Sequence, residues 1–276
     1  MVKEMRISVV IPTFNNDSYI IDALDSVLMQ TRSDLIHEII VVNDGSTDNT
    51  VEMVNRFIRA HQGTKIILIN QSNMGVSVAR NVGMKAATGD WIALLDSDDC
   101  WMPSKTEVQA EYIMANDKID FIGGNHHEKP LRILWRRISS IYKASINDLC
   151  IKWFPVTPSA MFKKKIFIET GGFNEMMKHS EDAEFFARVC CKYNYFYIPD
   201  NVVTIGHGKN PYGETGLSAE LRSMYIGNVE IFKMLKQKGF ISNTRYYFTR
   251  IFAFLKYIRR VLIVGGRKTF QSVNRM

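Results

Sequence analysis

The chain has 276 residues, 46% of them apolar and 23% charged, a globular composition with enough apolar residues for a full core in one or two domains. No apolar run reaches about 18 residues, which excludes a simple membrane-spanning segment. The net charge of +7 is unevenly spread, since residues 231–276 hold 11 of the 35 basic residues and none of the 28 acidic ones. This asymmetry predicts contact with a polyanion or an anionic membrane.

The first half of the chain alternates predicted strands and helices. Short apolar runs predict strands at 6–11, 37–42, 65–69 and 91–95, and apolar residues at helical spacing predict helices at 17–30, 47–61 and 76–87. Three such β-α steps indicate an α/β fold with a mostly parallel sheet and helices on both faces. The strands lack polar alternation, which is typical of strands buried on both sides.

The second half is less regular. Helices are predicted at 106–116, 163–170, 180–192, 217–238 and 245–264, and strands at 120–123 and 159–162. We expect one domain at 1–230, divided near residue 105, followed by a helical extension at 231–276. The four cysteines show neither metal nor disulfide spacing and no secretory segment precedes the first strand, so a reducing, cytoplasmic compartment is expected.

The predicted strand at 91–95 ends in a cluster of acids. Asp96 and Asp98 alternate with Ser97, so in an extended chain both carboxylates would point the same way. Two adjacent carboxylates repel each other unless a cation lies between them, and hard oxygen ligands suit Mg²⁺ or Mn²⁺. The alternative is a polar strand-to-helix turn with an aspartate helix cap.

Two further polar loops each precede a predicted helix. Asp44, after the second strand, could accept a hydrogen bond from a nucleobase or a hydroxyl group. Asn73 and Arg80 belong to a segment whose backbone N–H groups and guanidinium suit a phosphate. The alternatives are a plain β-α turn for Asp44 and an exposed helical arginine for Arg80.

Together these segments resemble the motifs of family 2 glycosyltransferases, which have the GT-A fold. The order and spacing of Pro12 to Asn15, Asn43 to Asp48, Asn73 to Asn81 and Leu95 to Asp99 carry the resemblance, which covers residues 5–105 and continues more weakly to 225. The usual aspartate at the first position of the second motif is Asn43 here, while Asp44 is kept.

The resemblance implies a donor site and a metal site. Asp96 and Asp98 would bind Mn²⁺ or Mg²⁺, with His207 as a further candidate ligand, and Asp99 would be either a second ligand or a helix cap. The implied nucleotide-binding residues are Pro12, Thr13, Phe14, Asn15, Asp44, Asn73, Arg80 and Asp96.

On the acceptor side, a Gly-Gly-Phe turn at 171–173 precedes Glu181 and Asp182. The resemblance implies that Asp182 is the general base and that Glu181 orients it or binds an acceptor hydroxyl. The alternative is a solvated helix start, where acids are favoured in any case. Trp101 is either a sugar-stacking ring or a core residue.

The predicted helix at 245–264 is amphipathic. Its basic residues, Arg245, Lys256, Arg259 and Arg260, gather opposite the apolar ones, so the helix could lie on an anionic membrane. Alternatively, the apolar face packs on the catalytic body or on a second subunit, forming a homodimer. No nucleic-acid motif accompanies the charge. The apolar residues are Tyr247, Ile251, Phe254, Leu255, Ile258, Val261 and Leu262.

The resemblance implies a metal-dependent, inverting transferase. It would move a sugar from a UDP-linked donor to a glycan in bacterial surface polysaccharide or lipopolysaccharide assembly. If the basic tail binds membrane, we expect a lipid-linked glycan as the acceptor and a peripheral location at the inner face of the plasma membrane. One rival is a nucleotidyltransferase that makes sugar nucleotides, although residues 12–16 lack the glycine-rich, basic loop of such enzymes. The other is a non-catalytic glycan- or nucleotide-binding module.

Overall fold

The computed structural model describes residues 5–126, 129–206 and 220–273. The strands are β1 (Ile7–Thr13), β2 (Ile36–Asp44), β3 (Ile66–Gln71), β4 (Trp91–Leu94), β5 (Cys100–Trp101), β6 (Phe121–Asn125), β7 (Arg132–Ile133), β8 (Arg136–Arg137), β9 (Tyr142–Lys143), β10 (Met161–Lys163), β11 (Tyr195–Asn201) and β12 (Val203–Thr204). The helices are α1 (Ile20–Leu28), α2 (Thr50–Ala60), α3 (Val76–Ala86), α4 (Lys105–Ala115), α5 (Ile146–Ile151), α6 (Lys164–Thr170), α7 (Glu181–Lys192), α8 (Leu221–Gln237) and α9 (Asn243–Val273).

The main sheet of the described chain has eight strands in the order β3-β2-β1-β4-β10-β6-β11-β9. β1 pairs in parallel with β2 and β4, β2 with β3, and β6 with β11, while β10 and β9 are antiparallel to their neighbours. This confirms the predicted mostly parallel α/β sheet. Because β1, β2, β3 and β4 run in the same direction, the loops at their carboxyl ends meet along one edge.

Helices cover both faces of the sheet, so the central strands are buried on both sides. In β1, Val10 belongs to a core shared with α3 and α7, whereas Val9 and Ile11 belong to a second core with α1, α2 and α4. This two-sided burial explains why the strands read as unbroken apolar runs.

A third apolar cluster joins the C-terminal helices to the body. Ala183 and Ala187 of α7 pack with Phe232 and Leu235 of α8 and with Tyr246 of α9. The predicted domain boundary at residue 230 stays a prediction and falls inside α8, and α9 continues past the predicted end at residue 264. No helix in the described ranges combines the length and apolarity needed to cross a membrane.

The elements of the second half that were not predicted include α5 and β11. α5 lies in the segment without a clear pattern, and its six residues are too few to show helical periodicity. A capping box holds its start, since Ser145 and Asp148 exchange side-chain to backbone hydrogen bonds. β11 pairs in parallel with β6, and its partner for Tyr195 is Phe121, which is distant in sequence.

Candidate active site

The loops after β1 and β2 are joined by short polar contacts. Asn15, in the left-handed region with a φ of 46°, accepts a hydrogen bond through Oδ1 from the Thr47 backbone N at 2.8 Å. The Asn15 backbone N donates to Ser46 Oγ at 2.9 Å. Asn16 Nδ2 donates to Ser97 Oγ at 2.8 Å, which connects the first loop to the acidic turn. Asn15, predicted to contact the nucleotide, therefore shapes the wall of the site.

Asp44 is buried and organises the loop before α3. Its Oδ1 accepts hydrogen bonds from Gln71 Nε2 at 2.7 Å and from the Met74 backbone N at 2.8 Å, and its Oδ2 accepts one from the Gly75 backbone N at 2.8 Å. The carboxylate predicted to meet a base or a hydroxyl group thus already holds a loop of its own chain, while still lining the cavity described below.

The acids after β4 lie on a reverse turn. The strand ends at Leu94, and the Asp99 backbone N donates to the Asp96 carbonyl oxygen at 3.1 Å, so the expectation of an extended chain is wrong. Asp99 is buried and accepts a hydrogen bond from the Gly206 backbone N at 2.8 Å. It precedes β5 rather than a helix, so it is not a helix cap. Burial and the nearby charge of Asp96 raise the pKa of Asp99 to about 8.

Arg80 joins the acidic turn to the start of α7. Its Nη2 lies 2.7 Å from Asp96 Oδ1 and its Nη1 lies 2.9 Å from Glu181 Oε1. Burial alone would lower the pKa of Arg80, but the charges of Asp96 and Glu181 outweigh it and raise the pKa above its usual value. In the structure, the two terminal nitrogens of Arg80 bind carboxylates. The phosphate contact indicated by the sequence stays a prediction.

The Gly-Gly-Phe turn at 171–173 contacts this arginine through the ring of Phe173. Asn81 accepts a hydrogen bond from the Phe173 backbone N and donates one to its carbonyl oxygen, both at 2.8 Å. The Phe173 ring consequently lies with its centroid 5.0 Å from the Arg80 guanidinium carbon, at cation–π distance.

A first cavity of about 430 Å³ opens at this edge of the sheet. Its volume is within the range of small-molecule sites. Thr13 Oγ1 and Arg80 Nε are buried and have no hydrogen-bond partner among the described atoms, and such groups are usually satisfied by a ligand or water. The cavity is lined by Pro12, Thr13, Phe14, Asp44, Asn73, Gly75, Val76, Ala79, Arg80, Asp96, Ser97 and Glu181.

A second cavity of about 290 Å³ borders the start of α7. Asp182 lines it, half-buried at the start of α7, and accepts a hydrogen bond from the Ala183 backbone N at 2.7 Å. Burial and the charge of Glu181 raise the pKa of Asp182 to about 6. The other lining residues come from the segment before β10 and from α5, α7, α8 and α9, and include Trp153, Tyr225, Asn228, Lys256, Tyr257 and Arg260.

Sequence reasoning missed the part that α9 takes in this cavity. The sequence pattern places Lys256 and Arg260 on the basic face of the helix, opposite its apolar residues. Periodicity alone does not show which of the two faces packs against the rest of the protein. Trp101, by contrast, is a core residue: it is 3% exposed and its indole N–H donates to the Pro158 carbonyl oxygen at 2.9 Å.

The charges of the site fit a divalent cation. Burial is the main cause of the raised pKa of Asp99, and the negative charges of Asp96 and Asp98 raise it further. Mn²⁺ and Mg²⁺ bind through one or two carboxylates together with substrate phosphates, which matches Asp96 and Asp98. No group of three or more His, Cys, Asp or Glu side chains within the described ranges is arranged as a complete metal site. His207 lies outside the described residues.

The sequence pattern of the family described as Glycosyl transferase family 2 matches residues 8–171. An uncharacterized glycosyltransferase of Nostoc sp. is 41% identical over 123 residues, which is 45% of this chain and 36% of the relative. The chain covers between 29% and 36% of the length of the first three curated relatives.

Two solved structures share the fold. TarS 1–349 of S. aureus, in complex with UDP-GlcNAc, superposes with a TM-score of 0.67 and 20% identity over 84% of this chain and 66% of its own. The mannosyltransferase PcManGT of Pyrobaculum calidifontis, in complex with GDP-Man and Mn²⁺, gives a TM-score of 0.70 and 18% identity over 96% of this chain and 76% of its own. Because the family match spans more than half of the 276 residues, the chain belongs to glycosyltransferase family 2.

Proposed function

We propose that the chain transfers a sugar from a UDP-linked donor to a hydroxyl group of a glycan, with inversion at the anomeric carbon. The observation that carries this proposal is the placement of two neighbouring acids. Glu181 lines the first cavity and Asp182 lines the second, so the start of α7 borders both cavities. We assign the first cavity to the donor and the second to the acceptor.

The nucleotide belongs in the first cavity. Seven of the eight residues predicted from the sequence to bind it line this cavity, and Asn15 holds the loop beside it. TarS structures contain UDP or UDP-GlcNAc, and the mannosyltransferase structure contains GDP-Man. A nucleoside diphosphate donor follows from this likeness, and UDP is the nucleotide that we propose.

The proposed chemistry is a single displacement. The acceptor oxygen attacks the anomeric carbon, the bond from that carbon to the phosphate oxygen breaks, and the electron pair leaves with the nucleoside diphosphate. Asp182 takes the proton of the acceptor hydroxyl, and its raised pKa makes it a stronger base than an ordinary aspartate. Arg80 holds Asp96 and Glu181 in place through its two ion pairs. A divalent cation at Asp96 and Asp98 would supply positive charge for the departing diphosphate.

The proposed acceptor is a lipid-linked glycan of surface polysaccharide or lipopolysaccharide assembly, reached by a protein bound to the inner face of the plasma membrane. The support is the exposed face of α9, where Ile251, Leu255 and Leu262 are 62%, 59% and 69% exposed. Arg250 and Arg259 are exposed on the same helix, so the surface combines apolar and positive groups as a binder of anionic lipid does.

The test is donor turnover across UDP-glucose, UDP-galactose, UDP-N-acetylglucosamine and GDP-mannose, with lipid-linked glycans as acceptors. Release of one nucleoside diphosphate together with a glycosylated product supports the proposal and identifies the donor. Formation of a sugar nucleotide from a nucleoside triphosphate and a sugar phosphate would show a nucleotidyltransferase. Nucleotide binding without turnover on any acceptor would show a binding module.

A further inference from the structure

The second cavity has a basic and aromatic wall that a neutral sugar acceptor does not require. Lys256 and Arg260, one helical turn apart on α9, both line it together with Asp182. Tyr257 of α9 stacks on Tyr225 of α8, with ring centroids 5.1 Å apart and an interplanar angle of 23°. The cavity therefore offers a base at one side, rings suited to a sugar face, and two cations.

The cations of this wall are close enough to repel one another. Lys256 is half-buried, and its Nζ donates to the Ile151 carbonyl oxygen at 3.0 Å, which uses one of its three N–H groups. Burial, followed by the positive charges of Arg260 and Lys152, lowers the pKa of Lys256 to about 8. Half-buried like charges of this kind are stabilised when an anion binds between them.

We propose that the second cavity binds an acceptor carrying a phosphate ester or a diphosphate, with Lys256 and Arg260 contacting the phosphate while the acceptor hydroxyl reaches Asp182. The inference rests on the proposed function, because it assigns the acceptor of the same transfer. Guanidinium and ammonium groups bind phosphate oxygens through short, charge-assisted hydrogen bonds.

The same helix carries the exposed apolar residues Ile251, Leu255 and Leu262 on its outer side. A phosphate held by the inner side of α9 would thus lie one helix width from a bound membrane. A lipid diphosphate and a soluble sugar phosphate present the same chemistry to Lys256 and Arg260, so both are used as probes.

The experiment is calorimetric binding to the full-length chain. UDP and GDP are titrated first, and this step tests the proposed function alone. With the first cavity saturated by the nucleotide that binds, farnesyl diphosphate and glucose 1-phosphate are compared with farnesol and glucose. We expect at least one phosphate probe to bind, and to bind about 10-fold more weakly to Lys256→Met and to Arg260→Gln.

Three controls make the result specific. Lys233→Gln removes an exposed charge of the neighbouring helix α8 and should leave probe binding unchanged. Lys256→Arg, which keeps the charge, should retain probe binding. Thermal unfolding identifies any variant that fails to fold, and if Lys256→Met or Arg260→Gln does so, the other of these two variants decides. Binding of farnesyl diphosphate alone supports a lipid-linked acceptor, and equal binding of glucose 1-phosphate supports a soluble phosphorylated one. The inference would be overturned, while nucleotide binding stands, if the phosphate probes bind no better than their neutral counterparts or if Lys233→Gln weakens their binding equally.

Discussion

At the scale of single residues, Arg80 connects parts of the chain that are far apart in sequence. It pairs with Asp96 of the acidic turn and with Glu181 at the start of α7. Glu181 lies 101 residues after Arg80 in the sequence. Both the arginine and Glu181 are buried. Removing one member of a buried ion pair leaves the partner charge buried and unpaired. This destabilises the folded protein far more than the loss of an exposed pair.

Replacement of this arginine should therefore destabilise the protein strongly. We expect Arg80→Met to lower the free energy of unfolding by about 3 kcal/mol at neutral pH, measured by urea denaturation. Arg56→Met is the matched control, since Arg56 pairs with Glu52 through side chains that are 74% and 63% exposed. Its loss should lower the free energy of unfolding by less than about 0.5 kcal/mol. Equal effects of the two substitutions would contradict the structural role of Arg80.

The pKa of Asp182 determines the expected pH dependence of turnover. A general base must be deprotonated, and this pKa is raised to about 6, so kcat should be full above that pH and fall about tenfold for each unit below it. A pH profile of the wild type tests this. Asp182→Asn should lower kcat by about 10²–10⁴-fold, while Glu111→Gln, at an exposed acid of α4, should not change it. Asp182 would not be the general base if kcat falls only near the ordinary aspartate pKa, or if the Asp182→Asn variant stays active.

At the scale of secondary-structure elements, α9 uses its two faces differently. Tyr246 and Thr249 are buried against the body, and Phe252 and Lys256 are half-buried there. The apolar stripe predicted from the sequence lies on the other side and is exposed. Packing of that stripe on the catalytic body, one of the alternatives open at the level of sequence, is therefore not what the structure shows. Flotation and the oligomeric state in solution distinguish the other two alternatives, a membrane and a second subunit.

The membrane prediction is tested by flotation with anionic liposomes. We expect Leu255→Glu and Leu262→Glu to reduce the floating fraction strongly, because each places a charge in the apolar contact surface. Ile168→Glu is the matched control, since Ile168 of α6 is 68% exposed and Leu262 is 69% exposed. Truncation of the chain near Gly239 would remove α9 completely, but it would also remove Ile241 and Tyr246, which belong to a buried cluster. Point substitutions therefore test the exposed face alone.

Flotation that is unaffected by these substitutions would exclude this face as the membrane contact. A stable dimer in solution that both α9 substitutions dissociate would instead assign the stripe to a second copy of the chain.

At the scale of the whole molecule, the site depends on an excess of negative charge gathered from two halves of the chain. The acidic turn after β4 and the start of α7 bring their carboxylates around Arg80, and a nucleoside diphosphate would add more negative charge. We expect EDTA to abolish turnover, and Mn²⁺ or Mg²⁺ to restore it in the wild type but not in Asp98→Ala. Thermal unfolding gives a second measurement, since Mn²⁺ should raise the Tm in the presence of UDP only when Asp98 is present. Full activity in EDTA would remove the metal assignment.

Much of the fold and of the donor side could be predicted because the information is local. The strands of the first half are short apolar runs bounded by polar loops, and in a parallel sheet those loops converge on one edge. The resemblance to family 2 glycosyltransferases implies a common nucleotide site for residues such as Thr13, Asp44 and Asp96, and these three residues line one cavity. Their hydrogen bonds were not predictable, since Asp44 binds Gln71 and Gly75 only after the two loops are folded against each other.

By itself, the sequence determined the alternation of strands and helices, the family and the identity of the acids, because periodicity and motif spacing are properties of the chain in one dimension. Only the tertiary structure decided that Asp96 lies on a reverse turn, that Arg80 binds carboxylates, and that Lys256 and Arg260 of α9 line the cavity of Asp182. Each of these depends on contacts between residues distant in sequence. Such contacts form where buried charges pair and where one face of a helix packs on the core. The spacing of residues along the chain does not show which charges pair or which face packs.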